Sequence, residues 1–486
     1  MRSTQPTDWA RRGQRVLVAA SILALASLAI PVATVDAAVN TDWAGYEHGP
    51  AHSSASFGDT AITTANVAAL HVLWSFTAGA ATQAGAPGPR FDASPTVAGG
   101  RVYIGSRTGI VYALNATTGA IAWQKQLDFG SSTVCAAKGI TGTSTVAADP
   151  VTGVMTVYTP GSHYLYALNA STGAQIWKVA IGPATADGEA RWYNWSSPTV
   201  VGGKIYMGLA AACDAHKIRG GVVQVDQHTG KKTHTYFAVP SGAIGPSVWS
   251  SMAGDGTSVW VTTGNADPGA AQIYDAVSIV RLSATTLAKQ EKWTAPIPIA
   301  ADLDFGSSPT LFTATIGGTA TDMIGACNKN GIYYVWKRLS LVTGPVWQRQ
   351  VGQTGGTGNG ACITSAAYDG PDSVLFVAAN QTTIGTTAVQ GSVRALNPST
   401  GAIIWEQPLT CLPNGSPTLN ATTHVLAVPT YGCLGSDKPG VALFNATTGA
   451  PLRTITAAGA VFAQPVFANG KLFIADETGK LTVYGP

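Results

Sequence analysis

The chain has 486 residues, of which 45% are apolar and only 11% are charged, so a large core is available and wholesale disorder is excluded. Glycine (56) and proline (27) are abundant, a composition typical of many short strands joined by turns and not of helical bundles. The formal net charge of +3 argues against nucleic acid or an anionic membrane as the main partner.

The first 37 residues have the pattern of a secretory signal peptide. An arginine-rich start precedes an apolar stretch over residues 16–35, and small residues lie at the cleavage positions before Ala38. We expect residues 1–37 to be removed on export and the mature protein to be secreted or periplasmic. The alternative is a retained membrane anchor, because the apolar stretch is on the long side for a signal peptide.

Export makes disulfides the expected state of the six cysteines, which allow fifteen pairings. No two of them form C-x-x-C, so the sequence offers no thiol-redox site, zinc knuckle or covalently attached c-type haem. Nearness in sequence favours the pairs Cys411–Cys433 and Cys327–Cys362. Cys135 and Cys213 then remain as the third pair.

One sequence element recurs along the chain. It consists of an alternating strand, a Thr-Gly turn that tolerates positive φ, and a second strand that ends in an aromatic residue. The clearest copies are Tyr112–Trp123, Tyr166–Trp177 and Arg394–Trp405, and the weaker ones are 223–234, 280–293, 335–347 and 442–453. Trp74 ends one further strand, and the ends of these elements lie about 54 residues apart on average.

A second element, of the Ser-Pro-Thr-Val type, also occurs eight times, centred on Pro95, Ser144, Pro198, Met252, Pro309, Ala366, Pro417 and Pro465. Each unit then holds four short antiparallel strands, which predicts an all-β fold, an eight-bladed β-propeller that forms a single domain over residues 38–486. The chain begins with a last strand and ends without one, so residues 66–78 are predicted to complete the last blade and close the ring. Tandem sandwiches, the alternative, would not explain the split unit.

The recurrent A-L-[ND]-x-x-T-G-x-x-x-W element resembles the repeat of proteins that bind pyrroloquinoline quinone (PQQ), over nearly all of the chain after the leader. The opening segment, from Trp43-Ala-Gly-Tyr to the Ile62-Thr-Thr-Ala-Asn-Val-Ala-Ala-Leu stretch, looks like that of polyvinyl-alcohol-dehydrogenase-like members. The superfamily mixes quinoprotein alcohol dehydrogenases with non-catalytic scaffolds, so the fold does not decide the function.

The resemblance implies a set of cofactor residues, because PQQ is a flat anionic quinone that needs an aromatic platform, cationic partners and a divalent metal. Trp249 precedes a Gly-Asn at nearly the family's spacing, which casts Trp249 as the stacking face and Asn265 as a metal ligand. The alternative for Trp249 is an aromatic residue of a blade core. Asp92 stands where the family has a cofactor-contacting Glu, and Lys138 where it has an Arg that pairs with a PQQ carboxylate.

Asp304, in Asp302-Leu-Asp304-Phe-Gly, resembles the family's catalytic base and metal-bound carboxylate, which would stay ionised beside a cation and accept the alcohol's hydroxyl proton. The alternative for Asp304 is a turn cap. Gly306 lacks the extra carboxylate of lanthanide-using relatives, which favours calcium. Lys329, in a K-N-G-x-x-Y-V match, is implied to bind the quinone oxygens and to stabilise charge on reduction, the alternative being a hairpin surface residue.

Two features depart from the family pattern. The family's metal-binding Glu lies four residues before an Arg-Gly, and here Ala215 occupies that place before Arg219. Asp214, one position away and shorter than Glu, is then the candidate for the missing metal ligand. The adjacent cysteine pair that lies against PQQ in many family enzymes is absent, and only Cys135 stands nearby.

The sequence and the resemblance together predict an exported, PQQ- and calcium-dependent alcohol dehydrogenase-like quinoprotein that oxidises a small or polymeric alcohol by hydride transfer to the quinone. Because the chain has no C-x-x-C-H haem motif, re-oxidation would need a separate electron acceptor. The competing hypothesis is a non-catalytic propeller that binds envelope proteins as an assembly scaffold.

Overall fold

The repeats fold into four-stranded antiparallel sheets, the blades of a propeller. The computed structural model describes residues 41–80, 87–130, 138–183, 191–213, 218–267, 269, 272–298, 302–353 and 360–486. In each blade, strands A to D follow one another in hydrogen-bonded order, with strand A nearest the axis. The predicted leader, residues 1–37, lies outside the described residues.

In blades 1 to 4, strands A to D are Thr96–Ala98, Arg101–Gly105, Ile110–Asn115 and Ile121–Gln126; Thr145–Ala148, Met155–Pro160, Tyr164–Asn169 and Gln175–Ala180; Thr199–Val201, Lys204–Ala211, Gly221–Asp226 and Lys232–Phe237; and Ala253–Gly254, Ser258–Thr262, Ser278–Ser283 and Lys289–Thr294. In blades 5 to 7 they are Thr310–Ile316, Thr319–Cys327, Ile332–Lys337 and Trp347–Gln350; Ala367–Asp369, Val374–Ile384, Thr387–Leu396 and Ile403–Leu409; and Thr418–Asn420, Val425–Pro429, Gly440–Asn445 and Pro451–Thr456. Blade 8 comprises Val466–Ala468, Lys471–Ala475, Lys480–Gly485 and His71–Thr77. Outside this scheme lie the short strands Ala55–Ser56, Trp192–Tyr193, Cys411–Leu412 and Gly432–Cys433, and the 3-10 turns Tyr46–His48, Val67–Ala69 and Leu341–Thr343.

The two ends of the folded region meet in blade 8. Its strands A to C come from the end of the chain, and its strand D is His71–Thr77, which pairs antiparallel with Lys480–Gly485. This pairing covers the edge that the last C-terminal strand would otherwise expose. The prediction of an all-β, eight-bladed propeller closed by an N-terminal strand is confirmed.

The Thr-Gly turn of each such repeat packs against a tryptophan from the preceding blade. Trp123 donates its Nε1–H to the carbonyl of Ala170 at 3.0 Å, and its ring lies against Gly173. A Cβ at Gly173 would come within 2.7 Å of that ring, and the residue has φ +72°, so glycine is required twice over. The same contact joins Trp74 to Gly119, Trp177 to Gly230, Trp347 to Gly401 and Trp405 to Gly449.

The Ser-Pro-Thr element links neighbouring blades at the axis. The N–H of Thr143 donates to the hydroxyl of Ser197, and the N–H of Ser197 donates to the hydroxyl of Ser251, both at 2.9 Å. The same bond recurs at seven blade boundaries through one residue of each blade, and the N–H of Gln464 donates to the hydroxyl of Ser94. We call these residues the axial ring: Ser94, Thr143, Ser197, Ser251, Ser308, Ser365, Ser416 and Gln464. These hydroxyls satisfy buried N–H groups that would be costly to leave unpaired.

Residues 41–56, which carry no repeat, run around the inside of the propeller. Their carbonyls accept N–H groups from the inner strands, including Ala44 from Val146 and Pro50 from Gly254. Further bonds of this kind join Ala51 to Leu311, Ser53 to Tyr368 and Ser54 to Leu419, and Trp43 pairs with Val97. Each inner-strand partner lies three positions after the axial-ring residue of its blade. The course of this segment and its bonds to the inner strands were not predicted from the sequence.

Two predicted disulfides are confirmed, Cys327–Cys362 and Cys411–Cys433. Cys213 is also disulfide-bonded, and Cys135, its predicted partner, lies outside the described residues. No helix within the described ranges is long and apolar enough to cross a bilayer.

Candidate functional site

A cavity of about 590 Å³ lies on the propeller axis. Its wall takes one residue from every blade, each two positions before the axial ring: Asp92, Thr141, Trp195, Trp249, Gly306, Ile363, Asn414 and Phe462. Tyr46, from the N-terminal segment, also lines the cavity. The wall residues precede the axial ring, whereas the N-terminal segment binds the inner strands three residues after it. The segment therefore forms the floor of the cavity.

Six of the seven predicted site residues line this cavity, namely Asp92, Lys138, Trp249, Asn265, Asp304 and Lys329. The seventh, Asp214, lies outside the described residues. Trp249 is half-buried at the cavity wall and does not belong to a blade core. Lys329 likewise faces the cavity, with 12% of its side chain exposed, and is not a surface residue of its hairpin.

Asp304 is the centre of a compact polar cluster. Trp249 donates its Nε1–H to Oδ2 of Asp304 at 2.9 Å, and the Nζ atom of Lys329 lies 2.7 Å from Oδ1. The ammonium group of Lys329 also lies 5.5 Å from the ring centroid of Trp249, within cation–π range. One oxygen of the carboxylate therefore accepts a hydrogen bond from the indole, and the other forms an ion pair with the ammonium group.

Burial raises the pKa of Asp304, and the ammonium of Lys329 together with the indole N–H of Trp249 offsets part of that rise. Burial alone would lower the pKa of Lys329, but the carboxylates of Asp304 and Asp302 outweigh it, so this pKa is raised. Lys329 therefore stays charged, and Asp304 is a carboxylate that accepts a proton more readily than an exposed aspartate does.

The Gly-Asn pair can approach this carboxylate because its first residue, Gly264, has no side chain. A Cβ at Gly264 would lie 2.8 Å from the Ser247 carbonyl oxygen and 3.2 Å from Oδ2 of Asp304. Asn265 follows and donates its Nδ2–H to Oδ1 of Asp302 at 2.8 Å. Its Oδ1 atom is buried and has no hydrogen-bond partner among the residues that the structure describes.

Asp92 lies on another part of the wall, within a cluster of alternating charges. Its carboxylate is ion-paired with Arg107, and Arg90 lies 3.6 Å from the other oxygen. Arg90 in turn pairs with Glu477. The sequence identified Asp92 but missed the two arginines and the glutamate, all of which line the cavity.

Lys138 is held against an aromatic wall. Its Nζ donates to the carbonyl of Ala212 at 3.0 Å and lies 4.5 Å from the ring centroid of Trp195. Burial, followed by the positive charge of Arg107, lowers the pKa of Lys138. Trp195 was not predicted from the sequence, although it stands at the same repeat position as Trp249.

Alignment of the repeats would have found the missed charges. Arg107, Lys329 and Glu477 occupy one position, the second residue of the turn between strands B and C. The N–H of each donates to a carbonyl of the segment that precedes strand A, on Arg90, Asp304 and Ala460 respectively. The turns read Ser-Arg-Thr-Gly, Asn-Lys-Asn-Gly and Asp-Glu-Thr-Gly, so the signal is present in the sequence.

A family model described as the β-propeller domain of glucose, ethanol and alcohol dehydrogenases (PQQ) matches residues 43–364, about two thirds of the chain. The chain belongs to this PQQ β-propeller family. A second model, described as outer membrane protein assembly factor BamB, matches residues 389–485 of this PQQ-family propeller.

Individual relatives are distant. Polyvinylalcohol dehydrogenase of a Pseudomonas species is 26% identical over 261 residues, which are 50% of this chain and 37% of the relative. The PQQ-family chain thus spans little more than a third of that relative's length. Among solved structures, the quinohemoprotein alcohol dehydrogenase of Comamonas testosteroni has a TM-score of 0.71 at 18% identity, covering 92% of this chain and 81% of its own. A europium-containing methanol dehydrogenase has a TM-score of 0.73 at 16% identity, covering 92% and 98%.

The cavity of this PQQ-family propeller has the groups that a flat anionic quinone and a hard cation need. Half-buried indole rings offer stacking faces, and the ammonium and guanidinium groups of Lys138, Lys329 and Arg107 offer counter-charges. The unpaired Oδ1 atom of Asn265 and the carboxylate of Asp304 are oxygen ligands of the kind that calcium takes.

Proposed function

We propose that this protein is an exported, PQQ-dependent alcohol dehydrogenase that oxidises an alcohol in the axial cavity. The observation that carries the proposal is the contact of Asp304 with both Trp249 and Lys329 at the wall of a 590 Å³ cavity. It combines a base, a stacking face and a fixed positive charge. A purely structural role would need none of these to face a cavity.

The residues at this wall divide the work of the reaction. PQQ, when bound, supplies the hydride acceptor. Trp249 would hold its flat face, Lys138 and Lys329 would bind its oxygens, and Asp92 would contact it from the wall of blade 1. Asp304 would accept the hydroxyl proton of the alcohol at its carboxylate.

The cation site is the second part of this proposal. Asn265 would bind calcium through its unpaired Oδ1 atom, Asp304 would bind through its carboxylate, and Asp214 is the proposed further ligand. The cation would add positive charge beside Asp304 and keep that carboxylate ionised despite its burial.

The leader pattern supports export, and so do the disulfides Cys327–Cys362 and Cys411–Cys433, because disulfides are typical of oxidising compartments. We place the protein outside the cytoplasm, in the periplasm or beyond the cell. Re-oxidation would use a separate electron acceptor, because the chain has no C-x-x-C-H motif. The alcohol, whether small or polymeric, would reach Asp304 through the axial cavity.

A scaffold that binds envelope proteins is the second candidate, favoured by the BamB family model over residues 389–485. The test is to incubate the purified protein with PQQ and calcium, pass it through gel filtration, and measure quinone absorbance and alcohol-dependent dye reduction. We expect stoichiometric quinone and turnover with at least one primary, secondary or polyvinyl alcohol. Absence of quinone from the protein peak would favour the scaffold.

A further inference from the structure

Asp302 joins the two halves of the polar cluster. Its Oδ1 atom accepts one hydrogen bond from Nδ2 of Asn265 and one from Nζ of Lys329, both at 2.8 Å. The ammonium of Lys329 also lies 2.7 Å from Oδ1 of Asp304. One cationic nitrogen thus bridges two carboxylates, which brings these oxygens within reach of a single shared cation.

The two carboxylates differ in exposure. The side chain of Asp304 is 5% exposed, whereas that of Asp302 is 59% exposed and lies at the cavity edge. Partial burial acts to raise the pKa of Asp302, but the hydrogen bonds from Lys329 and Asn265 and the charge of Lys329 outweigh it, so this pKa is lowered. Asp302 can therefore change partners at low cost, because water solvates the part of its side chain that faces outward.

Counting charges shows why Asp302 matters to a divalent cation. Asp304 and Lys329 alone sum to zero, so a divalent ion beside them would leave a net charge of +2 in a partly buried site. With Asp302 the three side chains sum to −1, and the ion would leave +1. Because hard-cation affinity rises with the number of carboxylate ligands, the second carboxylate favours binding.

The Asn265 amide points to the same place. Asp302 accepts from Nδ2, and this bond fixes which end of the amide carries the free oxygen. That free oxygen, Oδ1, is buried and has no hydrogen-bond partner in the described part of the chain. Asn265 is thus bonded to one carboxylate, Asp302, and it follows Gly264, where a Cβ would lie 3.2 Å from Oδ2 of the other, Asp304. A bound cation would satisfy a buried amide oxygen in this neighbourhood.

We propose that Asp302 is a carboxylate ligand of the cation site, together with Asp304 and Oδ1 of Asn265. Asp302 would supply the negative charge that is missing because Ala215 stands at the family's glutamate position. Lys329 would then release Asp302 and Asp304 when the cation binds and turn toward the cofactor. This inference rests on the proposed function only in assigning calcium as the natural ion.

The test uses Tb³⁺ as the probe, because an ion bound near Asp304 would be excited by energy transfer from Trp249. We expect tryptophan-sensitised Tb³⁺ luminescence in the purified protein, with calcium competing. Asp302→Asn should raise the Kd for Tb³⁺ by about tenfold or more, because charge and ligand number set affinity at such sites. Asp437→Asn, at an exposed carboxylate outside the cavity, should leave the Kd unchanged. Thermal melting checks that each variant folds.

A second background separates a ligand from a residue that only holds Lys329. In Lys329→Gln protein the competing ammonium is gone, so Tb³⁺ should bind more tightly than to wild type. Asp302→Asn should still weaken binding in that background. An unchanged Kd there, or a loss of binding only in Asp214→Asn, would overturn the proposal. Retention of PQQ is scored separately by gel filtration, so failure of the proposed dehydrogenase activity and failure of the Asp302 ligand are distinguishable.

Discussion

The indole N–H of Trp249 donates to the carboxylate of Asp304 at 2.9 Å, so one side chain at the cavity wall also orients the proposed base. The two residues come from the segments that precede strand A in adjacent blades, 4 and 5. The contact therefore couples the stacking face to the base across a blade boundary, and substitutions at Trp249 can separate the two roles.

Trp249→Phe keeps an aromatic face and removes the N–H, whereas Trp249→Ala removes both. We expect the Phe variant to retain PQQ but to lose turnover about tenfold or more, because a hydrogen bond to a charged group contributes about 1.5–3 kcal/mol. The Ala variant should also release the quinone at least about threefold more readily. Gel filtration and dye reduction measure both effects. Equal turnover of the Phe variant and wild type would contradict the orienting role.

Asp304→Asn tests the base itself. The amide has nearly the same shape and can still accept from Trp249, but it cannot take a proton at neutral pH. Turnover should fall by about 10²–10⁴-fold while PQQ retention changes little, as measured by dye reduction and quinone absorbance. Wild-type turnover in this variant on every alcohol tried would remove Asp304 as the base.

Ring closure predicts that the blade 8 to blade 1 boundary is as strong as an internal one. Trp74 and Trp123 make the same contact, each 9% exposed and each donating to the equivalent carbonyl, of Ala116 and Ala170 respectively. Trp74→Ala and Trp123→Ala should each cost about 3–5 kcal/mol and lower the thermal midpoint by similar amounts. A clear loss in Trp123→Ala with none in Trp74→Ala would show that the ring is open in solution.

The fold could be predicted from the sequence because the recurring positions of each repeat make the contacts that hold neighbouring blades together. The Thr-Gly turn admits the tryptophan of the preceding blade, and the Ser-Pro-Thr element pairs hydroxyls with N–H groups around the axis. The repeats also determine the cavity wall, since every blade gives one residue two positions before the axial ring. Trp195 and Arg107 occupy repeat positions equivalent to those of Trp249 and Lys329, so an alignment of the repeats would have predicted them. Family motifs alone did not.

The N-terminal segment could not be predicted in the same way. It has no repeat, and each of its bonds joins it to a different inner strand far along the chain. Several of its residues also have the left-handed backbone that sequence patterns assign to glycine, with φ between 50° and 68° at Glu47, His48, His52 and Ser54. Only the assembled ring supplies the contacts that hold this conformation.

Glu47 makes the segment sensitive to pH. Its carboxylate is buried, with Oε1 accepting from Ser416 at 3.1 Å and Oε2 3.6 Å from His52. Burial raises its pKa from 4.5 to about 8, although hydrogen bonds to Ser365, Tyr46 and Ser416 offset part of the shift. Burial also lowers the pKa of His52 to about 4, so His52 is neutral at neutral pH and supplies no counter-charge.

The folded protein therefore holds the Glu47 proton more tightly than the unfolded chain does. The resulting stabilisation is complete below pH 4.5 and is lost as the pH rises through about 8, at up to about 1.4 kcal/mol per pH unit. Glu47→Gln keeps a neutral, hydrogen-bonding side chain that does not titrate, while other titrating groups remain common to both proteins. Denaturant unfolding at pH 5, 7 and 9 should show wild type losing stability relative to Glu47→Gln across this range, because only wild type must bury a charge or hold a proton there. Parallel stability curves for the two proteins would mean that Glu47 is ionised and solvated, and that the segment does not seal the cavity floor.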